Sequence, residues 1–336
     1  MDHEALLYEK EAGNRARCGL CAHRCRIAPG ARGVCGVREN RDGTLRSLSY
    51  GMILAENVDP IEKKPLFHLL PGSRSFSIAA AGCNFRCSFC QNHDISQMPR
   101  ETGKIAGRER TPAEIAEEAL RTGSQSIAYT YTEPTVFFEF AYETAGIAQE
   151  KGIRNVWVTN GFMTPEMLGL IGPRLDAANV DLKAFRDDFY REQCGAPLQP
   201  VLDTLRRMKE LGIWVEVTTL LIPGLNDGEG ELRELAAFIV SLGAETPWHI
   251  SRFHPRYRMT ERPPTPAARI HRAAEIGRAA GLKYVYSGNV PGDAGENTFC
   301  NRCGRLLIGR CGFTVERLEL EGSACPGCGT PLEGIF

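Results

Sequence analysis

The chain has 336 residues, of which 43% are hydrophobic and 24% are charged, and its formal net charge at pH 7 is -1. This composition is typical of a soluble globular protein, and a near-neutral charge without a basic run argues against a nucleic-acid partner. No apolar stretch reaches the length that spans a bilayer, and the first 17 residues contain no apolar signal core. We therefore expect a cytoplasmic protein with no nucleic-acid or membrane partner.

Thirteen cysteines occur in this chain without an export signal. In a reducing compartment they are expected to act as metal ligands rather than to form disulfides. Eleven of them fall into three groups: Cys18, Cys21, Cys25 and Cys35; then Cys83, Cys87 and Cys90; then Cys300, Cys303, Cys325 and Cys328. The grouping predicts four parts: an N-terminal four-cysteine metal-binding segment at 1–45, a connector at 46–72, a catalytic domain at 73–290 and a second metal-binding unit at 291–336.

The N-terminal group reads Cys18-Gly-Leu-Cys21-Ala-His-Arg-Cys25 and ends at Cys35. Few large apolar side chains surround it, so a bound metal is expected to supply its folding energy. Four cysteines fit either tetrahedral zinc or a second iron-sulfur cluster, and His23 could replace one of them. Zinc is the first choice, because the sequence shows no path for electrons from this segment. A redox C-x2-C thiol pair is the weaker alternative.

The connector at 46–72 contains prolines and charges of both signs, as in Asp59-Pro-Ile-Glu-Lys-Lys-Pro-Leu66. This pattern favours an extended, solvated passage. It leads into the apolar run Phe76 to Ala81 and the turn residue Gly82.

Three cysteines then follow within eight residues, in the order Cys83-Asn-Phe-Arg-Cys87-Ser-Phe-Cys90. Packing explains this spacing poorly, whereas iron-sulfur clusters are held by cysteine thiolates. A closed zinc site needs four ligands, and Cys35 is the only further cysteine within fifty residues on either side. The motif predicts a cluster bound through three cysteines, which leaves one iron free for another ligand. A zinc site or three unrelated thiols is the alternative.

Short apolar runs alternate with amphipathic segments after this motif. The predicted strands are 75–80, 125–131, 153–159, 177–182, 213–221, 247–252 and a short one at 283–287. Helix starts are indicated by Thr111-Pro112, Thr164-Pro165 and Thr265-Pro266. Six β-α units imply a parallel sheet with right-handed crossovers. Residues 73–290 are too few for the full eight-unit barrel of ~250 residues, so we predict an α/β fold with a partial (β/α)6 TIM-like barrel.

Ligands of such sheets bind at the carboxyl ends of the strands. Glu133 follows the second strand, where its carboxylate can accept a hydrogen bond from an ammonium group, although Thr132 also suits a helix N-cap there. Asp181 and Lys183 are two apart on the fourth strand and therefore share a face. An apolar strand would carry them inward only for function.

The later strands carry further candidates. Glu216 and Thr218 share one face of an apolar run and are predicted to line the cavity. Gly288 and Asn289 follow the last strand, where small residues let the backbone approach a flat ligand. Cys194, after the fourth strand, is interpreted as a packed or partly exposed thiol, with a contact to substrate as the alternative.

The last segment contains Cys300-Asn-Arg-Cys303-Gly and Cys325-Pro-Gly-Cys328-Gly, which is typical of a zinc ribbon. Residues 306–308 and 313–315 between the two pairs are predicted to form a hairpin. Four thiolates close a tetrahedron around zinc, so this site is predicted to be structural.

The C-x3-C-x2-C spacing, with Phe89 before the third cysteine, resembles the signature of the radical S-adenosylmethionine (SAM) superfamily. The resemblance implies that Cys83, Cys87 and Cys90 hold a [4Fe-4S] cluster. It also implies that SAM chelates the open iron and is cleaved by one electron to methionine and a 5'-deoxyadenosyl radical, which abstracts hydrogen. This activity would make the protein an oxidoreductase.

Within that superfamily the chain resembles the radical SAM enzyme of the AmmeMemoRadiSam system, a family related to pyruvate formate-lyase activating enzymes. The resemblance covers nearly the whole chain, and the two flanking cysteine units narrow it to this family. It implies that SAM is contacted by Phe89, Glu133, Asn160, Asp181, Lys183, Thr218, His254 and Asn289. It also implies that Lys64 and His68 pack beside the cluster. Activating enzymes usually carry Asp before Thr-Asn-Gly, where this chain has Val158, so a cation site is in doubt.

The predicted function is radical hydrogen abstraction from a substrate, with glycyl-radical generation on a partner protein as the reaction that the resemblance implies. The simple activating enzymes lack the flanking units, and the eight-cysteine insertion of other activating enzymes is missing here. Radical modification of a small metabolite or another protein is the alternative. The non-enzymatic alternative is a scaffold that binds several zinc ions and catalyses no reaction. The expected cofactors are a [4Fe-4S] cluster, SAM and zinc, and the expected electron donor is a flavodoxin or ferredoxin.

Overall fold

The computed structural model describes residues 3–336, and this part of the chain forms four β-sheets. The first two sheets are small and antiparallel, with strand orders β2-β3-β4 and β1-β6-β5. Their strands are β1 His3–Glu4, β2 Tyr8–Glu11, β3 Arg15–Cys18, β4 Arg26–Ile27, β5 Arg38–Arg41 and β6 Thr44–Ser47. The N-terminal cysteines lie at the end of β3, in the turns beyond it and before β5.

The large sheet has nine strands in the order β15-β14-β13-β12-β11-β10-β8-β7-β9. These are β7 Met52–Pro60, β8 Arg74–Ala80, β9 Arg108–Glu109, β10 Ser126–Tyr129, β11 Arg154–Thr159, β12 Ala177–Asp181, β13 Trp214–Leu221, β14 Trp248–Arg252 and β15 Val285–Gly288. Strand β8 and strands β10 to β15 are parallel and follow chain order. An open parallel sheet of this kind confirms the predicted partial barrel.

Helices connect the parallel strands and cover the sheet. They are α1 His93–Ser96, α2 Met98–Thr102, α3 Pro112–Arg121, α4 Phe138–Glu150, α5 Pro165–Ile171, α6 Asp187–Phe189, α7 Gln199–Glu210, α8 Glu229–Leu242 and α9 Ala267–Ala279.

All three predicted helix starts are confirmed to within one residue, but only two of the three threonines are caps. Thr111 and Thr164 cap α3 and α5, and Thr111 forms a capping box with Glu114. Thr265 does not cap α9, because its hydroxyl donates to the Leu221 carbonyl at 2.5 Å.

The connector is not the solvated passage that its prolines and charges favoured. Strand β7 pairs antiparallel with β8, and Ile61, Leu66 and Leu69 are fully buried against the central strands. The Glu216 carboxylate anchors it by accepting hydrogen bonds from the backbone N–H groups of residues 67 and 68, at 3.0 and 2.8 Å. The segment therefore closes the amino-terminal side of the barrel.

The C-terminal sheet consists of β16 Thr298–Phe299, β17 Leu306–Cys311 and β18 Thr314–Leu318. Antiparallel pairing of β17 with β18 confirms the predicted hairpin. Leu307 and Ile308 pack against Phe67, Tyr284 and Tyr286, so this unit rests on the connector and the last barrel strand.

One hydrophobic core contains apolar residues of both the N-terminal segment and the barrel. The predicted boundaries near residues 45, 72 and 290 therefore stay predictions. Between residues 3 and 336, the structure has no helix that is both long and apolar enough to cross a bilayer.

Candidate active site at the carboxyl ends of the barrel strands

A cavity of about 610 Å³ opens at the carboxyl ends of the parallel strands. Its volume falls in the range of small-molecule and cofactor sites. The lining includes the three cysteines of the motif and residues at or near the ends of strands β10 to β15. Seven of the eight predicted SAM contacts line it, namely Phe89, Glu133, Asn160, Asp181, Lys183, Thr218 and Asn289.

Polar groups surround the three thiols. The Phe85 N–H donates to Cys83 Sγ at 3.3 Å, and Cys90 Sγ lies 3.3 Å from the Ser96 hydroxyl. Burial, reinforced by the carboxylate of Glu133, raises the pKa of Cys83 well above its usual value. When bound, the positively charged [4Fe-4S] core would reverse that shift, because a coordinating thiol is deprotonated. The donor set of three thiols on one cavity therefore fits a [4Fe-4S] cluster with an open iron.

A π-helical turn at Tyr190–Cys194 holds the cluster loop in place. The backbone N–H groups of Arg86 and Ser88 donate to the carbonyls of Cys194 and Gln193, each at 2.9 Å. Two further bonds come from the guanidinium of Arg100, which donates to the Cys83 carbonyl at 2.8 Å and to the Phe85 carbonyl. The loop is therefore ordered by backbone contacts on both sides of the motif.

The same turn places a fourth thiol in the site. Cys194 is fully buried, and a hydrogen bond with it is the largest cause, ahead of burial, that raises the pKa of Cys87 well above its usual value. Sequence reasoning interpreted Cys194 as a packed thiol and missed its proximity to Cys87. No spacing pattern could have revealed it, because only the fold joins the two segments.

Glu133 is 1% exposed, and its two carboxylate oxygens accept four hydrogen bonds. Oε1 accepts from the Thr135 N–H, the Thr135 hydroxyl and the Thr159 hydroxyl, and Oε2 accepts from the Asn160 N–H at 2.8 Å. Burial raises the pKa of Glu133, although the hydrogen bonds from these donors act in the opposite direction and lower it. A carboxylate oxygen has two acceptor sites, so Oε2 can accept one more hydrogen bond from the cavity.

Asn160 contacts the cluster loop directly. Its amide Nδ2 donates to Asn84 Oδ1 at 2.7 Å and lies 3.7 Å from Cys83 Sγ, while its Oδ1 accepts from the Phe162 N–H. The sequence predicted a SAM contact at this position. The structure places the side chain where it also orients Cys83.

Asp181 and Lys183 form an ion pair of 2.9 Å at the end of β12. Burial alone would lower the pKa of Lys183, but Asp181 and the thiols of Cys87 and Cys194 outweigh it and raise that pKa. The ammonium group therefore stays charged beside Cys87, where it favours a thiolate and can bind a carboxylate of a ligand.

Strands β13, β14 and β15 supply uncharged polar groups at the same edge of the sheet. The Thr218 hydroxyl is buried with no hydrogen-bond partner in the described chain, and Asn289 donates to the Ser251 hydroxyl at 2.9 Å. The prediction that Glu216 lines the cavity is wrong. It lies two residues nearer the start of β13 than Thr218, and its carboxylate bonds His249 at 2.6 Å below the cavity.

The remaining predicted residues take different places. Phe89 is 4% exposed and packs against Phe189. His254 is exposed, and its carbonyl accepts a hydrogen bond from Gln91 at 3.3 Å. Val158 lines the cavity where activating enzymes usually carry Asp. The SAM-binding roles of all eight residues stay predictions.

Lys64 and His68 were both expected beside the cluster. Lys64 bonds Asp59 at 2.6 Å and lies 4.6 Å from the ring centroid of Tyr131, a residue of the cavity wall. The expectation for His68 is wrong, because its imidazole lies between the Glu333 carbonyl and the Tyr286 hydroxyl, each at 2.6 Å. It belongs to the contact between the connector and the C-terminal unit.

The C-terminal cysteines form a compact set. The sulfurs of Cys300, Cys303, Cys325 and Cys328 all lie within 4.8 Å of one another. Cys300 and Cys325 are buried and Cys303 is exposed, as at a small surface site. This arrangement is consistent with the predicted zinc ribbon.

Comparison with known proteins agrees with this geometry. Residues 77–239 match the family model of the radical SAM superfamily. The chain is 47% identical to the uncharacterized protein MJ0808 of Methanocaldococcus jannaschii, over 99% of both chains. It is 27% identical to the pyruvate formate-lyase-activating enzyme of Streptococcus mutans, over 55% of this chain and 72% of that protein. A crystal structure of Streptococcus suis SuiB bound to S-adenosylmethionine shares the fold, with 13% identity, a TM-score of 0.52 and coverage of 72% of this chain and 56% of that one.

The fold and the three-cysteine cavity are those of a radical SAM protein. The chain belongs to the radical SAM superfamily, and its homologues include pyruvate formate-lyase-activating and glycyl-radical-activating enzymes at low identity.

Proposed function

We propose that this protein cleaves S-adenosylmethionine reductively and uses the resulting 5'-deoxyadenosyl radical to abstract hydrogen from a substrate. One observation carries the proposal: the thiols of Cys83, Cys87 and Cys90 face the same cavity as Glu133 and the Asp181–Lys183 pair. When bound there, a [4Fe-4S] cluster supplies the electron that breaks the sulfonium C–S bond. The three thiolates hold that cluster and leave one iron open.

The chain's own side chains orient the cosubstrate. Glu133 Oε2 accepts a hydrogen bond from the ammonium group of SAM, and Lys183 donates to its carboxylate. Thr218 offers a buried hydroxyl without another partner in the described chain, and Asn289 lies at the far wall for the nucleoside. These groups fix the geometry before reaction, which shortens the path of the radical to its target hydrogen.

Exclusion of water is the second task of the site. Apolar side chains flank the polar ones, and Phe85 and Phe89 are almost fully buried beside the thiols. A primary radical attacks its surroundings unless the reacting hydrogen is held close, so a shielded wall protects both radical and protein.

The relatives indicate the substrate class to test first. The similar proteins of S. mutans and Clostridium pasteurianum are named for activating pyruvate formate-lyase. By analogy, we propose hydrogen abstraction from a glycine in a partner protein, with an electron supplied by a flavodoxin or ferredoxin. We also propose zinc at Cys300, Cys303, Cys325 and Cys328.

Anaerobic reconstitution tests the reaction. We expect wild-type protein with SAM and a low-potential reductant to form 5'-deoxyadenosine, and Cys87→Ala to form none above background. Cys311→Ala is the matched control, because Cys311 is an exposed thiol outside the three groups. Wild-type protein that binds four irons yet releases no more 5'-deoxyadenosine than Cys87→Ala would contradict the proposal.

The substrate class is tested by isotope transfer. Partner proteins labelled with deuterium at glycine Cα should pass deuterium into 5'-deoxyadenosine if the substrate is a protein glycine. Transfer only from a deuterated metabolite fraction would exclude the glycyl reaction and favour a small-molecule substrate.

A further inference from the structure

The N-terminal cysteine group is a second buried set of thiols near the active site. Cys18, Cys21 and Cys35 are 6%, 9% and 8% exposed, and Cys25 is half-buried. They lie in one small unit whose backbone is folded by turns rather than by long strands. None of these thiols has a place in the reaction proposed above.

The spacing of the sulfurs separates this group from the zinc ribbon. Zinc–sulfur bonds of about 2.3 Å in a tetrahedron place neighbouring sulfurs about 3.8 Å apart, and the ribbon's four sulfurs all lie within 4.8 Å of one another. Over residues 3–336, no three sulfurs of the N-terminal group meet that distance, and neither do Cys83, Cys87 and Cys90. The cysteines of a [4Fe-4S] cluster lie farther apart, because each binds a different iron. The N-terminal sulfurs, like those of the cluster trio, therefore do not have the close spacing that the ribbon sulfurs show.

A buried cation accompanies this group. Arg38 is 1% exposed, and its charge lies close to Cys18 and Cys35. One end of its guanidinium bonds Glu139 of α4 at 2.7 Å, while its Nε–H has no partner within the described chain. A buried donor of this kind suits the sulfur of a cluster or of its cysteine ligand.

The unit is packed directly on the catalytic cluster loop. A Cβ added at Gly82 would lie 3.3 Å from the Cys35 carbonyl oxygen and 2.7 Å from Val37 Cγ1, so the N-terminal unit packs closely on the backbone next to Cys83. The imidazole of His23 also hydrogen-bonds the Asn84 carbonyl at 2.8 Å. Both residues that flank Cys83 are thus in contact with the N-terminal unit. Its other side reaches the surface, because Cys18 lines a cleft together with Arg17 and Arg24.

We propose that Cys18, Cys21, Cys25 and Cys35 bind a second [4Fe-4S] cluster that passes electrons singly to the cluster at Cys83, Cys87 and Cys90. An external one-electron carrier of the flavodoxin or ferredoxin class reduces the second cluster, which is reoxidised as the catalytic cluster gains that electron. This assignment replaces zinc, which the sequence alone favoured for lack of an electron path. The relay rests on the proposed function, whereas the metal assignment does not.

Metal analysis of the full wild-type chain tests the assignment without any substitution. After anaerobic reconstitution with iron and sulfide, we expect about eight irons and one zinc per chain. About four irons and two zincs would overturn the second cluster.

Variants then separate the two clusters. Cys83→Ala/Cys87→Ala/Cys90→Ala should keep about half of the wild-type iron and show a reduced-cluster electron paramagnetic resonance signal that SAM does not change. A full loss of iron in this folded variant would contradict the proposal. If this variant keeps its iron while wild-type protein releases no 5'-deoxyadenosine, the second cluster stands and the proposed function fails.

The relay has its own readout. Cys21→Ser/Cys25→Ser should keep the SAM-responsive signal of the catalytic cluster, while the rate at which reduced ferredoxin reduces that cluster falls at least tenfold in stopped-flow absorbance. Cys311→Ser is the control, with an unchanged rate. An unchanged rate in Cys21→Ser/Cys25→Ser would overturn the relay.

Discussion

Asn84 illustrates how one residue connects three parts of this protein. Its carbonyl accepts from His23, its Oδ1 accepts from Asn160, and its Nδ2 donates to the Phe162 carbonyl at 3.1 Å. These bonds join the N-terminal unit, the cluster loop and the end of β11. The backbone and the side chain of one residue between two motif cysteines therefore fix the loop from both sides, although the motif itself marks only the cysteines.

Thr218 and Thr219 offer a matched pair of substitutions. Thr218→Val removes a hydroxyl that has no partner in the described chain, so we expect the free energy of unfolding to change by less than about 0.5 kcal/mol. The Kd for SAM should rise about tenfold, the equivalent of one hydrogen bond. Anaerobic calorimetric titration and thermal unfolding measure the two effects.

Thr219→Val is the control for that substitution. Its hydroxyl donates to the Leu182 carbonyl at 2.9 Å and accepts from the Trp248 indole N–H at 3.0 Å. Its loss leaves two buried groups unpaired, and we expect a destabilisation of about 1–3 kcal/mol. Equal SAM binding by wild type and Thr218→Val would exclude a role for the Thr218 hydroxyl.

Substitution of Cys194 tests whether one iron of the catalytic cluster is free to bind SAM. We expect Cys194→Ala to keep the wild-type iron content, whereas Cys87→Ala loses the catalytic cluster. The Cys87 thiol donates to Cys194 in the metal-free chain, and once Cys87 binds iron as a thiolate the Cys194 S–H would become the donor. Without that donor, the reduction potential of the cluster should become more negative, because hydrogen bonds to ligand sulfur stabilise the reduced form. Iron analysis and a redox titration followed by electron paramagnetic resonance measure both. If Cys194→Ala loses as much iron as Cys87→Ala, Cys194 is a fourth ligand and the cluster has no open iron for SAM.

Among the elements, the connector shows how far local composition can mislead. Its prolines and charges resemble a solvated passage, but β7 pairs with β8 and the residues after it plug the barrel. The charges have partners within the protein: Asp59 pairs with Lys63 and Lys64, and Glu62 Oε1 accepts from the Gly72 N–H and lies 3.6 Å from Arg310 Nε. The pattern of charged residues in a sequence does not show whether those charges will be paired with other side chains or solvated by water.

His68 makes the connector sensitive to acid. Burial, with Arg310 nearby and against the carboxylate of Glu216, lowers the pKa of His68 to about 4. The unfolded chain, with a pKa near 6.5, binds a proton that the folded chain does not. Stability is therefore full above pH 6.5 and falls as the pH drops toward 4. Between pH 8 and pH 5 we expect a loss of about 2 kcal/mol from this residue.

Urea unfolding at the two pH values measures this loss. His68→Gln cannot take up that proton, so its free energy of unfolding should fall by about 2 kcal/mol less than that of wild type over the same interval. Titrations elsewhere in the chain affect both proteins and cancel in the comparison. An equal loss in both proteins would mean that His68 is not the group responsible.

For the whole molecule, the C-terminal unit packs on the barrel and supports it. Arg310 on β17 donates to the Phe67 carbonyl and to the Thr298 hydroxyl, each at 2.8 Å. Glu333 accepts from Lys283 and Tyr284 at the start of the last barrel strand. These contacts attach the C-terminal unit to both the connector and the segment before β15. In the large sheet, β15 is one edge strand and β7 of the connector lies next to the other edge strand.

Zinc loss should therefore be felt beyond the ribbon. We expect Cys303→Ser to lose about one zinc per chain and to unfold at a lower temperature, because metal binding contributes folding free energy. The catalytic cluster should keep its iron. Elemental analysis and thermal unfolding measure these effects. Cys311 is an exposed thiol outside this site, so Cys311→Ser is the control and should keep its zinc. An unchanged zinc content in Cys303→Ser would contradict a zinc site at these four cysteines.

Local pattern predicted much of the candidate site. Alternating apolar runs located all seven parallel strands, and the polar residues after them, such as Glu133 and Asp181, line one cavity because parallel strands end at the same edge of the sheet. Glu216 shows the limit, since it lies on the same strand as Thr218 but below the cavity and not in its wall. That choice depends on the packing of neighbouring segments.

Local patterns in the chain were enough to predict the parallel barrel and the three cysteine groups, because both depend on the periodicity and spacing of nearby residues. Only the tertiary structure placed Cys194 against Cys87, the connector under the barrel and the N-terminal cysteines against the catalytic loop. Those contacts join segments far apart in the chain, and no local pattern specifies which surfaces will meet when the core closes.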